Sequence, residues 1–185
     1  GLIALAAGTA LMEAADFGVS MVVAPAYLIH LKLSQTLPFF SFGMAEYTLQ
    51  AFILALMCIV LRRVKLSCLF SFVTALIYGF MLDGAMLLVA LIPAQSVAMR
   101  AVFYLAGVLG CSIGVSLVFH TYIPPEAYEL FVKELSAKFG VNINIFKTCY
   151  DCVSCLIGVI LSFAFFGMWH FEGVKLGTVV CALVN

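Results

Sequence analysis

Residues 44–65 read MAEYTLQAFILALMCIVLRRVK. The apolar run 44–61 carries a single charged residue, Glu46, and is stopped by Arg62, Arg63 and Lys65. A helix needs about 20 apolar residues to cross the hydrocarbon layer of a bilayer, so this run predicts a membrane-spanning helix. The run that follows, residues 66–92, is longer still and is interrupted only by Asp83. It predicts a second span directly after a short basic loop.

The composition of the whole chain agrees. Of 185 residues, 65% are hydrophobic and only 10% charged, with a mean hydropathy of +1.21. Soluble domains carry about 45–50% apolar and about 25% charged residues. So much apolar surface cannot be hidden in a water-soluble fold of this length, and the chain belongs in a bilayer. Disorder and nucleic-acid binding are excluded by the same numbers. Nine basic residues balance nine acidic ones, which leaves no basic face for phosphates.

Working outward, residues 1–15 are apolar but short of a span, and read as a first helix entered part-way. No basic leader or cleavage signal precedes the polar break at Asp16-Phe17-Gly18-Val19-Ser20. Residues 21–33, interrupted by Pro25, are too few to cross and predict a half-helix. Residues 101–119 predict a span, and Tyr122-Ile123-Pro124-Pro125 break the chain again. Residues 126–139 predict a second, amphipathic half-helix, 148–169 a fifth span, and 176–185 the start of a sixth.

Both halves thus run in one order: span, break, half-helix, span, loop, span. Pro25-Ala26-Tyr27 with Lys32 mirrors Glu126-Ala127-Tyr128 with Lys133, and the same offset sets Glu46 against Lys147 and Gln50 against Asp151. Three spans is an odd number, so two consecutive repeats must insert upside down relative to each other. The predicted fold is therefore all-α: a polytopic membrane protein of two inverted repeats, residues 1–92 and 100–185, each with three spans and one half-helix. Inverted repeats with broken helices are a transporter arrangement. Basic residues orient the chain. Arg62, Arg63, Lys65, Lys133, Lys138 and Lys147 fall on one side, against Lys32, Arg100 and Lys175 on the other. This places both termini in the cytoplasm.

Cys149, Cys152 and Cys155 form a C-x-x-C-x-x-C string. It lacks the fourth close cysteine and trailing proline of a ferredoxin cluster and opens an apolar helix, so it reads as helix packing. No His pairs stand at metal spacing, and no Ser, His and Asp are set for catalysis. The expectation is no metal, no cofactor and no enzymatic activity.

Several strings resemble one family. Tyr128-Glu129-Leu130-Phe131-Val132-Lys133-Glu134-Leu135 is similar to its Y-D-L-F-x-R-E-L string, and Lys147-Thr148-Cys149-Tyr150-Asp151 to its K-T-x-x-D. Residues 15–20, 77–83 and 176–178 follow in the same order and spacing. The chain resembles the YczE/YyaS/YitT-like integral membrane proteins of bacteria over nearly its whole length. It departs at Ser20-Met21, where the family usually has Ser-Pro, and in the prolines of the second break. The resemblance implies a duplicated multi-pass protein of the bacterial cytoplasmic membrane, without implying a substrate.

Ionisable groups within a bilayer cost about 2.5–3.5 kcal/mol at a helix centre, so each needs a reason. Glu13 and Asp16 share a helix face and read as a cation- or proton-binding pair or as an interfacial helix end. Asp83 reads as a buried group or an interfacial one, with Tyr78 and Gln95 as neighbours. Glu46 and Gln50 share one face, and Lys147 and Asp151 the equivalent face of the other half. These four are expected to converge, with a Glu46–Lys147 ion pair, or else Lys147 pairs locally with Asp151. Glu129 reads as part of a solvated face or of a site, and His120 as interfacial or as a proton relay.

These features favour a transporter or permease of a small solute. The alternative is a non-transporting regulator, immunity or assembly factor that binds lipids or proteins; an intramembrane enzyme is a weaker third. Lipids and an unidentified small molecule are the expected partners, and the sequence is compatible with a homo-oligomer.

Overall fold

The computed structural model describes residues 1–63, 65–92, 96–119, 126–167, 175 and 177–178. Among them run seven helices: α1 (Leu2–Ala15), α2 (Ala24–Leu33), α3 (Phe42–Leu61), α4 (Leu66–Ala90), α5 (Val97–Phe119), α6 (Ala127–Phe139) and α7 (Ile143–Phe166). Four of them, α3, α4, α5 and α7, are long and apolar enough to cross a membrane. At most a third of each apolar stretch is buried inside the chain, so the rest faces outward, as a lipid-facing surface does. α1 is an apolar helix of 14 residues. Of the last predicted span, 176–185, only residues 177–178 are described.

Two corrections concern element edges. The last long helix begins at Ile143 rather than Thr148, because the Asn142 side chain accepts from the backbone N–H of Asn144 and starts it early. α5 likewise opens at Val97 rather than 101, with Ser96 Oγ accepting from the Met99 N–H.

Small residues set the helix crossings. α1 and α5 lie antiparallel, with Gly8 against Gly107 and Cys111, and Leu5 against Gly114. A Cβ on Gly8 would meet the Cys111 backbone nitrogen at 2.6 Å, so only glycine permits this approach. α3 and α4 cross at Gly43 and Gly79 and stay together to Cys58 and Cys68, whose sulfurs are 3.7 Å apart.

The short helices fill what the long ones leave. α6 lays Ala127, Leu130 and Leu135 against Leu54 and Met57 of α3 and Cys68 of α4. Its outer face keeps Lys133 and Lys138 exposed. α2 packs Ala26 with Phe42 and Ala45 of α3, and α7 rests on both short helices.

Charges gather at two ends. Lys65 pairs with Glu134 at 2.5 Å, and Lys138 donates to the Val60 carbonyl near the end of α3. At the other end, Arg100 and Lys175 both pair with Asp16. Lys65 and Lys138 thus stand at one end of the helices and Arg100 and Lys175 at the other.

A cavity between two half-helix starts

α6 covers only part of the height of α3. Its far end meets Val60, while its first N–H, that of Ala127, donates to Gln50 Oε1 at 3.2 Å. Gln50 lies eight residues into a 20-residue helix, so α6 starts at mid-span. An uncapped helix start is costly away from water. The Gln50 carboxamide supplies that cap from a neighbouring helix, and its Nε2 donates to Glu46 Oε1 at 3.2 Å. The Tyr128 phenol donates to the same oxygen at 2.8 Å. Glu46 and Gln50 are both fully buried.

α2 starts in a comparable way. Ser20 O accepts from the N–H groups of Val23 and Ala24. The irregular backbone leading into it is satisfied by protein: Gly177 N donates to Phe17 O at 2.9 Å, and Thr178 Oγ1 to Val19 O at 2.8 Å. The other end of α2 returns toward the start of α3, where His30 Nδ1 meets Phe40 O and the His30 ring stacks on Phe42.

The two starts face one cavity of about 320 Å³. Ser20, Met21, Val22 and Val23 line it from the α2 side. Glu126, Tyr128, Glu129 and Val132 line it from α6, and Lys147, Tyr150 and Asp151 from α7. Thr9 of α1, Tyr78 of α4 and the Cys111–Ser116 face of α5 close it. The Thr9 and Tyr78 hydroxyls are 3.1 Å apart.

Among the described residues, three carboxylates and one ammonium stand around this space. Lys147 Nζ donates to Glu129 Oε1 at 3.3 Å. Glu126 and Asp151 each bury an oxygen, Oε1 and Oδ1, that has no hydrogen-bond partner. Glu126 precedes α6 and lies outside the spanning helices. Burial first, then the carboxylates of Glu46 and Glu129, push its pKa up to about 8.

The expected convergence is therefore met in part. Lys147 and Asp151 reach the cavity, while Glu46 and Gln50 stand behind Tyr128 and fix the α6 start. The Glu46–Lys147 ion pair does not form. Glu46 Oε1 accepts from Tyr128 and Gln50 while its Oε2 keeps no hydrogen-bond partner, and Lys147 turns to Glu129, because α6 lies between the two long helices.

Other candidates have structural partners. Asp83 does not take Tyr78, and Gln95 lies outside the described residues; Asp83 accepts from Ser41 Oγ at 2.6 Å and from the Gly43 N–H at 2.8 Å, capping α3. Glu13 and Asp16 take different hydrogen-bond partners. Tyr27 donates to Glu13, whereas Asp16 holds Arg100 and Lys175. For Asp16, burial would raise the pKa, but the hydrogen bonds and charges of Lys175 and Arg100 outweigh it and hold it below the usual range. His120 lies outside the described residues. Sequence reasoning missed Glu126, Tyr128 and Tyr150 as site residues. The available signal was position: Glu126 and Tyr128 open a short helix after a break, where backbone polarity must be answered.

The fold and cavity define a multi-pass helical membrane protein with a chamber among its helices, lined by apolar side chains and a cluster of charged ones. The chain belongs to DUF6198, a family of unknown function whose family model matches residues 1–185. No curated protein and no solved structure matches the chain.

Proposed function

We propose that this protein is a small inverted-repeat transporter or permease of a small solute, in the YczE/YyaS/YitT-like manner. It has no catalytic role, and it sits in a bacterial cytoplasmic membrane with both termini cytoplasmic. The observation that carries the reading is the cavity on which the starts of both short helices converge. Broken helices that meet at mid-membrane leave polar backbone ends where a solute can be held, and such sites lie at repeat interfaces. Each proposed repeat, 1–92 and 100–185, contributes one of the two starts. The sorting of Lys65 and Lys138 from Arg100 and Lys175 supports the orientation.

The test is uptake into proteoliposomes of purified protein, against protein-free liposomes, with a panel of amines, amino acids, sugars and carboxylates. Protein-dependent accumulation of one class is expected. No accumulation of any, together with stoichiometric co-purification of another protein, would favour a regulatory or assembly role instead.

A further inference from the structure

Two carboxylates that line one cavity each keep a buried oxygen with no hydrogen-bond partner, which defines what the cavity lacks. Glu126 is 8% exposed, and its Oε1 has no partner. Asp151 Oδ1 is likewise buried and unpartnered, and both residues line the same space. An acceptor left without a donor costs about 1–3 kcal/mol, more when charged, so both oxygens are suited to N–H or O–H donors from an occupant. Charge narrows the choice. Glu126, Glu129 and Asp151 face Lys147 as the one cationic side chain among the described lining residues. An anionic solute would add to an acidic surface, while a cationic one would neutralise it.

The form of the cation follows from the remaining walls. Among the described residues, no three His, Cys, Asp or Glu side chains are grouped to hold a metal ion. The acids are spread over a chamber rather than focused on a point. Met21, Val22, Val115 and Val132 supply apolar surface, and the Tyr128 and Tyr150 rings lie 6.5 Å apart, centroid to centroid. Such walls suit hydrocarbon, and aromatic faces attract cations. The chain already displays the matching chemistry, since the Lys147 ammonium sits on Glu129 in this cavity. A volume near 320 Å³ falls at the small end of ligand pockets, which run from about 300 to about 1,000 Å³.

We infer that the cavity binds a small alkylammonium compound, with its N–H groups donating to Glu126 and Asp151 and its carbon chain against the valine wall. This rests on the reading of the cavity as a solute site and names the class of solute.

The test is titration calorimetry on the full chain in nanodiscs, with n-propylammonium, 1-propanol and propionate as matched probes. The ammonium should bind, and the alcohol and carboxylate should not bind measurably. Glu126→Gln and Asp151→Asn, both close in shape to the native residues, should each weaken ammonium binding about tenfold or more. Lys147→Met, by freeing Glu129, should tighten it. Circular dichroism checks that each variant keeps its helices. Equal binding of 1-propanol, preference for propionate, absence of ammonium binding to folded wild type, or unchanged affinity in both folded acid variants would overturn the inference. Ammonium binding without uptake in proteoliposomes would overturn the transport reading alone. Uptake confined to a non-amine solute would overturn the alkylammonium assignment and leave transport standing.

Discussion

Tyr128 on a short helix donates to Glu46 inside a spanning helix at 2.8 Å, and both side chains are buried. This bond ties the α6 start to the middle of α3. A double-mutant cycle tests it. Glu46→Leu with Tyr128→Phe should show a coupling of about 0.5–3 kcal/mol in unfolding free energy, as side chains in direct contact do. Glu46→Leu with Lys147→Met should show coupling within about 0.5 kcal/mol. The reverse order would restore the ion pair that the structure replaces.

Glu126 makes stability depend on pH. Its folded pKa, about 8, lies above the ordinary value of 4.5, so the folded chain binds the proton more tightly than the unfolded chain. The contribution is fully present below about pH 4.5 and is lost as pH rises through about 8. The groups that act on Glu126 are Glu46 of α3 and Glu129 of α6, while Tyr78 of α4 and Tyr128 feel its charge in turn. Thermal unfolding in detergent from pH 5 to 9 should show wild type losing more stability than Glu126→Gln, whose amide cannot ionise.

Asp83 is expected to matter for stability and not for solute. It caps α3 through Ser41 and the Gly43 N–H. Asp83→Ala should cost about 0.5–2 kcal/mol, the usual range for a lost cap, while solute affinity stays at the wild-type value. Parallel melting curves and titrations read the two effects separately.

Gly43 and Gly84 form a matched pair of glycines. A Cβ on Gly43 would lie 2.1 Å from the Gly79 carbonyl oxygen and 2.7 Å from Asp83 Oδ2, whereas one on Gly84 meets nothing within 4 Å. Gly43→Ala should destabilise by about 1–3 kcal/mol or more through overpacking. Gly84→Ala should be neutral or gain up to about 1 kcal/mol from helix propensity. Melting temperatures of the two variants decide it.

The long elements were legible in the sequence because hydropathy over 20 residues is a strong, local signal. The runs at 44–61 and 66–92 fall within a few residues of α3 and α4. The half-helix reading of 126–139 matches α6 because its charged face and short length exclude a span. The site was only half legible. Lys147 and Asp151 stood out as charges opening an apolar helix, Glu129 read as part of a solvated face or of a site, and all three reach the cavity. The partner of Glu46 was not legible, since a phenol on a separate short helix carries no periodicity that points to it. The partners of Asp83 were not legible for a related reason: they lie at the start of another helix, 40 and 42 residues away.

The central claim is that a solute crosses through the cavity between the two short helices. Ser112 lines that cavity from α5. Initial uptake rates in proteoliposomes should be compared between wild type and Ser112→Trp, whose indole fills the space, after circular dichroism shows equal helix content. The account predicts protein-dependent uptake by wild type and loss of nearly all of it in Ser112→Trp. Uptake by Ser112→Trp at the wild-type rate would contradict it.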